Sequence, residues 1–200
     1  MSQPGLFATP DVPLLDDASG QIRYLPGVLD PVRARQWFEI LREQVPWKSQ
    51  RREMYGREVE VPRLLGSYRL SDPLLPPVLR EAADVVARHV DAPFDAVGLN
   101  LYRDHHDSVA PHNDHLYEIA KDQPIVLLSL GATRRMVIRE KQPPRRVLNV
   151  DLEPGSLLVM SYATQLHYDH GVPKQRTPVG PRISLAFRVR PRTTKAGSRY

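Results

Sequence analysis

The feature of this sequence that most restricts its fold is a change in pattern at Phe94. Before that residue two stretches have the periodicity of amphipathic helices, and after it short apolar runs alternate with turns that carry Gly, Pro or Asp. Runs of this length, bounded by turn residues, are typical of strands in sandwiches and barrels. The predicted strands are residues 96–102, 125–130, 135–139, 146–151, 156–160 and 183–190. Two helices followed by many short strands predict an α+β fold whose larger part is a β-sandwich or barrel.

The two predicted helices have clear ends. Asp30 is a good N-cap, Pro31 suits the first helical position, and Pro46 stops the apolar stripe that follows. The second stripe covers residues 78–90 and ends before Pro93. Both helices therefore belong to the N-terminal half of the chain.

A chain of 200 residues accommodates one domain. We place that domain at residues 21–192 and predict a basic tail at 193–200. The first 20 residues, rich in Pro, Asp and Ser, are predicted to be a mobile arm. Residues 59–68 have strand character although their alternation is poor.

The composition excludes several classes of site. There is no cysteine, which rules out a disulfide framework, a Cys-ligated zinc, an iron–sulfur cluster and a thiol nucleophile. No stretch approaches the ~20 apolar residues that a membrane span needs, and residues 1–17 lack the pattern of a secretory signal. We therefore expect a cytoplasmic protein without a membrane partner, and because nothing demands a dimer we expect a monomer.

The charged residues point to an anionic ligand. Lys and Arg number 28 against 23 Asp and Glu, which gives a net charge of +5, and most of the basic residues are Arg. The guanidinium group is a planar fork that matches phosphate and carboxylate. This pattern predicts a polyanion or a carboxylate ligand, although a solubilising surface would also account for it.

Two histidines and an aspartate form the pattern that carries chemistry. His112 and Asp114 are two residues apart, so on an extended strand they project from one face. With His170 they would complete the set of two histidines and one carboxylate that is diagnostic of non-haem Fe(II) oxygenases. An isolated histidine is more often a surface or core residue, so the pattern needs support from elsewhere.

The last predicted strand supplies a second unusual pattern. Arg182 and Arg188 project from one face with only small residues between them. Two such arginines are costly in a core unless they have anionic partners, and a dicarboxylate could satisfy both by forked pairing. The alternative is a solvent-facing edge strand whose charges oppose aggregation.

Three motifs together resemble the AlkB branch of the 2-oxoglutarate and Fe(II)-dependent dioxygenases. They are His-x-Asp at 112–114, His-x-x-Pro at 170–173 and Arg-x-Ser-Leu-x-Phe-Arg at 182–188. Residues 100–102 are similar to the family's Asn-x-Tyr strand, and the resemblance covers roughly residues 24–190. It implies a double-stranded β-helix (jelly-roll) core with the N-terminal helices packed on it.

The resemblance also implies a cofactor set of Fe(II), the co-substrate 2-oxoglutarate and O2. The residues implied for iron are His112, Asp114 and His170, and those for the co-substrate are Asn100, Tyr102, Arg182, Ser184 and Arg188. Arg182 would pair with the distal carboxylate of 2-oxoglutarate, and Arg188 would steady the carboxylate that chelates the metal. Ser184 stands where many members carry Asn, a small change on the same face.

On the substrate side, the resemblance implies a nucleotide-recognition lid at about residues 45–70. Trp47, Arg63 and Tyr68 would contact a flipped base, although Trp47 and Tyr68 could instead be core aromatics. The phosphate backbone would be held by basic residues, namely Arg51, Arg52, Arg134 and Arg135. For the last two of these, a charged hairpin turn is the alternative.

The chain departs from the family pattern in two places. Leu116 occupies a position where many members carry an acidic residue near the target base, which affects base selectivity rather than iron chemistry. His167 precedes His170 by three residues and is a rival ligand. The spacing of the family's His-x-x-Pro motif favours His170.

The activity that the resemblance implies is oxidative dealkylation of alkylated bases in DNA or RNA, with release of aldehyde and succinate. In one alternative the protein is still an oxygenase, but its substrate is RNA, a protein side chain or a small molecule. Another, of a different class, is a basic β-sandwich that binds nucleic acid without catalysis.

Overall fold

The computed structural model of the chain describes residues 11–54 and 57–191, and for residues 52–60 it describes no side chain. The predicted basic tail at 193–200 and the first ten residues of the predicted arm lie outside the described residues. None of the described helices is long and apolar enough to cross a membrane.

Within these residues the chain forms strands throughout its length and helices mainly in its first half. The strands are β1 (Val12–Asp17), β2 (Gly20–Leu25), β3 (Arg51–Met54), β4 (Arg57–Glu60), β5 (Leu64–Arg69), β6 (Ala96–Tyr102), β7 (Val109–His112), β8 (Ile125–Gly131), β9 (Arg134–Glu140), β10 (Val147–Leu152), β11 (Leu157–Met160), β12 (Tyr168–Val172) and β13 (Arg182–Arg188). The helices are α1 (Pro31–Gln44), α2 (Pro77–Ala87), α3 (Tyr162–His167) and a 3₁₀ turn at Leu116–Glu118.

The strands build two antiparallel sheets. The larger sheet has the order β1-β2-β11-β8-β13-β6-β5, and the smaller has the order β10-β9-β12-β7. Strands β3 and β4 form a separate hairpin. Some neighbouring strands are consecutive in the chain, such as β9 and β10, but others are far apart, with β13 lying between β6 and β8. This is the predicted jelly-roll core in an α+β fold.

The larger sheet carries a separate apolar cluster on each face. On one face, α1 and α2 pack through residues such as Leu41 and Leu79, which are fully buried. On the other face, residues such as Met136 and Ile138 of the smaller sheet close a second cluster. The N-terminal helices therefore cover one side of the sheet, and the smaller sheet covers the other.

Strand β13 contributes alternately to these two clusters. Ile183 and Leu185 belong to the helix-side cluster, whereas Ala186 belongs to the cluster between the sheets. The face of β13 that carries Arg182, Ser184 and Ala186 thus lies inside the jelly roll, as period-two alternation requires. Arg182 is fully buried, so the alternative of a solvent-facing edge strand is excluded for this residue.

The first helix begins as predicted. Asp30 has an extended backbone, and its side chain accepts a hydrogen bond of 2.9 Å from the N–H of Arg33. Pro31 occupies the first helical position, where a missing N–H costs nothing. The helix ends at Gln44, two residues before Pro46, which was predicted to stop it.

Two predictions about the N-terminal half were wrong. The predicted arm at 1–20 is not mobile in its second part, because β1 pairs with β2 at the edge of the larger sheet. The predicted single strand at 59–68 is two strands, β4 and β5. Pro62, which has no N–H to donate, lies in the break between them.

Candidate active site

Two histidines meet across neighbouring strands of the smaller sheet. His112 ends β7 and pairs directly with His170 of β12, and their ring centroids are 4.6 Å apart. Asp114 follows two residues after His112. One ligand atom from each of these three residues lies within 4.8 Å of the others. The spacing and the strand pairing therefore bring the predicted triad to one point.

The ring of His112 is held in a defined orientation. Its Nδ1 lies 2.9 Å from the carbonyl oxygen of Ala110. Because a carbonyl oxygen only accepts, Nδ1 carries the hydrogen and donates it. The Nε2 atom is then left with a lone pair, which is the form in which imidazole binds a metal.

His170 is buried and uncharged at neutral pH. Burial, together with the nearby His112, lowers its pKa to about 4, although Asp114 acts in the opposite direction. A neutral imidazole needs to lose no proton before it binds a metal. This histidine is therefore ready to act as a ligand over the physiological range.

Asp114 is held as an ionised carboxylate by an arginine. Nε and Nη2 of Arg188 donate to Oδ2 of Asp114 at 3.0 and 2.7 Å. Burial would raise the pKa of Asp114, but the charge of Arg188, with the two histidines, keeps that pKa below its ordinary value. Within the part of the chain that the structure describes, Oδ1 accepts no hydrogen bond. It is therefore the oxygen available to a metal.

The donor set fits Fe(II). Two imidazoles and one carboxylate, arranged around one point, form the facial triad of non-haem iron oxygenases and leave coordination positions open. His167, the rival ligand, is exposed at the end of α3 and does not belong to the group. Of the two candidates, the structure therefore selects His170.

A buried, incompletely bonded guanidinium lies on the same face of β13. Arg182 is fully buried, and its Nη2 donates to Oγ of Ser129 at 2.8 Å. Among the described residues, its Nε and Nη1 have no hydrogen-bond partner. Buried donors of this kind are rare in proteins and call for an acceptor. A carboxylate oxygen is a strong acceptor for such guanidinium donors, so the chemistry fits one end of 2-oxoglutarate.

Arg182 remains a cation despite its burial. Burial lowers its pKa to about 10, Tyr102 acts in the opposite direction, and Arg134 adds to the lowering. The guanidinium lies over the Tyr102 ring, 5.4 Å from its centroid. The group is still protonated at neutral pH, as an anion site requires.

Polar side chains from β6 and β13 complete the wall of the metal pocket. Asn100 and Ser184 are paired across these strands, and both line the pocket with Tyr102. Arg63 also lines it, and its Nε donates to Oδ1 of Asn100 at 2.8 Å. The residues implied for the co-substrate therefore line one pocket or border it, and Arg63 is hydrogen-bonded to one of them.

The two aromatic residues predicted for the substrate lie elsewhere. Tyr68 is paired with Val97, a member of the helix-side cluster, and Trp47 packs against that same cluster. The indole N–H of Trp47 donates to the carbonyl oxygen of Arg42. Neither ring lines the metal pocket, but both are only partly buried, and Tyr68 lines a neighbouring cavity that shares Asn100 with the metal pocket.

Arg134 is not a phosphate contact. It is fully buried, and its guanidinium donates to the carbonyl oxygens of Asp104, Asp107 and Pro173 at 2.8 to 2.9 Å. A side chain without exposed surface cannot reach a nucleic-acid backbone. The prediction for this residue was wrong because three backbone carbonyl groups accept from its two Nη atoms inside the protein, while its Nε has no partner among the described residues.

Two of the other basic residues predicted for the backbone, Arg51 and Arg135, are exposed. Arg135 is exposed and forms a forked pair with Asp151, with both bonds at 2.8 Å. Arg51 is exposed, and the side chain of Arg52 lies outside the described residues. Leu116 begins the 3₁₀ turn just beyond Asp114 and is half-buried.

One residue of the site was missed by the sequence analysis. The side chain of Gln165 is buried in α3, and its Oε1 accepts a hydrogen bond of 3.0 Å from the N–H of Asp114. The two residues are 51 positions apart. A contact over this distance leaves no local signal in the sequence.

A jelly roll with a His–Asp–His centre beside a buried arginine defines a non-haem iron oxygenase. Residues 21–188 match the family model described as the 2OG-Fe(II) oxygenase superfamily, and the chain belongs to that family. The match covers the whole of both sheets except β1.

Two human relatives are similar over most of the chain. Alpha-ketoglutarate-dependent dioxygenase alkB homolog 3 is 32% identical over 183 residues, with 82% of this chain and 64% of that protein covered. DNA oxidative demethylase ALKBH2 is 31% identical over 183 residues, with 88% and 67% covered. The chain thus spans about two thirds of the length of these curated relatives.

Solved structures agree on the fold. The structure of OsALKBH1 has a TM-score of 0.57 at 15% identity and covers 84% of this chain and 97% of its own. A 2OG-Fe(II) oxygenase family oxidoreductase from Burkholderia pseudomallei has a TM-score of 0.56 at 12% identity, with 84% and 86% covered. At sequence identities this low, the similarity supports a shared fold and nothing further.

Proposed function

We propose that the protein is an Fe(II)- and 2-oxoglutarate-dependent dioxygenase that oxidatively dealkylates bases in DNA. The observation that carries the proposal is the convergence of His112, Asp114 and His170 on one point, with the two unsatisfied donors of Arg182 on the same side of the sheet. A triad alone fits several metals, and a buried arginine alone fits several anions. Together they specify a ferrous site that takes a carboxylate co-substrate.

Each residue of the pocket has a defined part in this proposal. Arg182 holds the distal carboxylate of the co-substrate, and Arg188 fixes Asp114 through Oδ2. Asn100 and Ser184 present polar groups on the pocket wall. When bound, iron with 2-oxoglutarate and O2 supplies the oxidant that hydroxylates the alkyl carbon, after which the alkyl group leaves as an aldehyde. The protein contributes orientation and a closed pocket.

Nucleic acid is the substrate class that the relatives and the charge favour. One of the human relatives is named a DNA oxidative demethylase, and the chain carries a net charge of +5. Arg135 is an exposed cation on β9 that can contact phosphate. Arg63, which lies in the predicted lid at 45–70, lines the metal pocket.

We also propose that one chain is a complete catalytic unit. The three metal ligands and Arg182 all come from the same chain. The expectation is a monomer in solution. Size-exclusion chromatography with light scattering, in the presence and absence of a methylated oligonucleotide, tests it, and a stable dimer would contradict it.

The activity is tested by incubating the protein with Fe(II), 2-oxoglutarate and methylated oligonucleotides. Single-stranded DNA, double-stranded DNA and RNA of the same sequence form the substrate arms, and succinate and aldehyde are both measured. We expect aldehyde release from DNA, with none from the Asp114→Ala variant. The His167→Gln variant is the matched control, because it removes an exposed histidine that lies near the triad in sequence.

The outcomes separate the alternatives. Succinate without aldehyde from any oligonucleotide indicates an oxygenase with another substrate, such as a protein or a small molecule. Aldehyde from RNA alone moves the substrate to RNA. No succinate in any arm, with nucleic acid still bound equally by the parent and a His112→Ala variant, would overturn the proposal in favour of a non-catalytic binding protein.

A further inference from the structure

The carboxylate ligand Asp114 lies beyond the end of β7, where no strand ladder fixes it. Hydrogen bonds to three residues hold it instead. Gln165 accepts from its N–H at 3.0 Å, Asn113 donates from Nδ2 to its carbonyl oxygen at 3.0 Å, and Arg188 binds Oδ2 of its side chain. The position of Oδ1 therefore depends on contacts from other elements rather than on the strand that carries His112.

Gln165 can present its amide in only one orientation. Its Nε2 donates to Oγ1 of Thr164 at 3.2 Å, and that hydroxyl donates in turn to the carbonyl oxygen of Ser161 at 2.6 Å. Since the N–H of Asp114 requires an acceptor, Oε1 must face it and Nε2 must face the hydroxyl. Both Thr164 and Gln165 are 1% exposed, so water does not compete for these groups.

The helix that carries Gln165 is itself anchored to the smaller sheet. The ammonium group of Lys141 donates to the carbonyl oxygen of Gln165 at 2.8 Å, and the N–H of Lys141 donates to that of His167 at the same distance. Lys141 follows directly after β9, which pairs with β12 beside His170. These contacts fix the position of α3 relative to β12, the strand that carries the second histidine ligand.

We propose that Gln165 is a positioning residue for the metal centre. It fixes the backbone of Asp114 so that Oδ1 meets the metal together with His112 and His170, and its own orientation is set by Thr164. The inference rests on the proposed function, because it takes the triad to be a metal site. Groups that orient a ligand from outside the coordination shell commonly govern metal affinity.

The experiment measures metal binding rather than turnover. Mn(II) is titrated into metal-free protein and its dissociation constant is determined by calorimetry, together with the thermal midpoint of the metal-free form. Gln165→Met removes both hydrogen bonds at nearly constant volume, and we expect it to weaken Mn(II) binding about tenfold. Gln165→Glu keeps an oxygen that can accept from Asp114, and we expect it to retain an affinity close to that of the parent.

Ser156→Ala is the matched control. It too removes a buried hydrogen bond, from Oγ of Ser156 to the carbonyl oxygen of Glu153, but Ser156 does not line the metal pocket. If Gln165 only satisfied a buried N–H, the Met variant and the control would both lose stability and neither would lose metal affinity. If the Met variant does not fold, Gln165→Asn takes its place, because its amide is one methylene too short to reach Asp114. This variant should also weaken Mn(II) binding relative to the parent.

The result also distinguishes this inference from the function on which it rests. If the parent protein binds no Mn(II), or binds it as well as the Asp114→Ala variant does, the metal site itself fails. If the parent binds Mn(II) through Asp114 and the folded Gln165 variants bind it equally well, the metal site stands and the positioning role is wrong.

Discussion

Both guanidinium donors of Arg188 that reach Asp114 end on the same carboxylate oxygen. Nε and Nη2 lie 3.0 and 2.7 Å from Oδ2. A fork that used both oxygens would place a donor on each of them and compete with a metal. This arrangement neutralises the charge of Asp114 while leaving Oδ1 to coordinate, so the pair supports the metal site without closing it.

The first prediction follows from this pair. Without Arg188, burial dominates and the pKa of Asp114 rises. In the Arg188→Met variant, protons should therefore displace the metal at higher pH than in the parent. Mn(II) titrations at several pH values measure the shift, and Arg188→Lys, which keeps the charge but not the fork, should lie between the two. Identical profiles for parent and Met variant would contradict the prediction.

The second prediction concerns the acid stability of the metal-free protein. The pKa of His170 is about 4 in the folded chain against 6.5 for the ordinary group. Between these values the unfolded chain binds more protons, so stability falls as pH decreases from 6.5 to about 4. The loss attributable to this group is at most about 3 kcal/mol.

A His170→Gln variant, which cannot take up this proton, provides the comparison. Urea denaturation of both proteins in the presence of a chelator gives the free energy of unfolding at each pH. The difference between the parent and the variant should change across this window and be constant above it. A difference that does not depend on pH would show that His170 titrates normally in the folded state.

The third prediction concerns Arg182. Replacing it with Met removes two donors from the carboxylate site, so 2-oxoglutarate binding to the Mn(II)-loaded protein should weaken by about 100-fold. Because the replaced group is a buried cation with unsatisfied donors, the ligand-free variant should be at least as stable as the parent. Calorimetry and thermal unfolding test the two parts. A variant that binds 2-oxoglutarate normally would show that this guanidinium serves the fold instead.

The fourth prediction separates Arg134 from Arg135. Arg134→Met leaves three backbone carbonyl groups without their hydrogen-bond donor. It should destabilise the protein by several kcal/mol, at about 1–3 kcal/mol for each buried group. Arg135→Gln breaks an exposed pair and should change stability by less than about 1 kcal/mol. If Arg135 contacts phosphate, its variant also lowers the slope of nucleic-acid affinity against salt by about one. Denaturation and binding across a salt series distinguish the two roles.

The sequence predicted best those elements whose pattern is local. Strand β6 has the predicted bounds at residues 96–102, and β13 shows the predicted alternation between Ile183 and Arg182. Both strands are central and buried on both faces, so their apolar residues are dense and regular. The capped start of α1 at Asp30 is equally local, because an N-cap acts within four residues.

The bounds of the strands that carry the two histidines were not predicted, although the spacing argument placed His112 on an extended strand. Strand β7 is four residues long, contains Pro111 and is not fully buried, so it has no clear period. Strand β12 follows α3 without a turn residue between them, and α3 itself is too short to display helical periodicity. The ligands were found from their chemistry and spacing, not from the elements that hold them.

The errors at the site have a common physical cause. Arg134 was taken for a surface cation, and Gln165 was not considered, because the partners of both are backbone groups far away in sequence. Hydrogen bonds to backbone carbonyl and N–H groups do not depend on which residue supplies them. Such contacts leave no motif, and only the folded chain reveals them.

The alternation of β13 allows a protein engineer to change two properties separately. Ile183, Leu185 and Phe187 face the helices, so substitutions there alter how firmly the domain is held together. Ser184 and Ala186 line the metal pocket, so substitutions there alter which molecules fit beside the iron. A library confined to the second pair would explore new substrates without changing how the helices pack on the sheet.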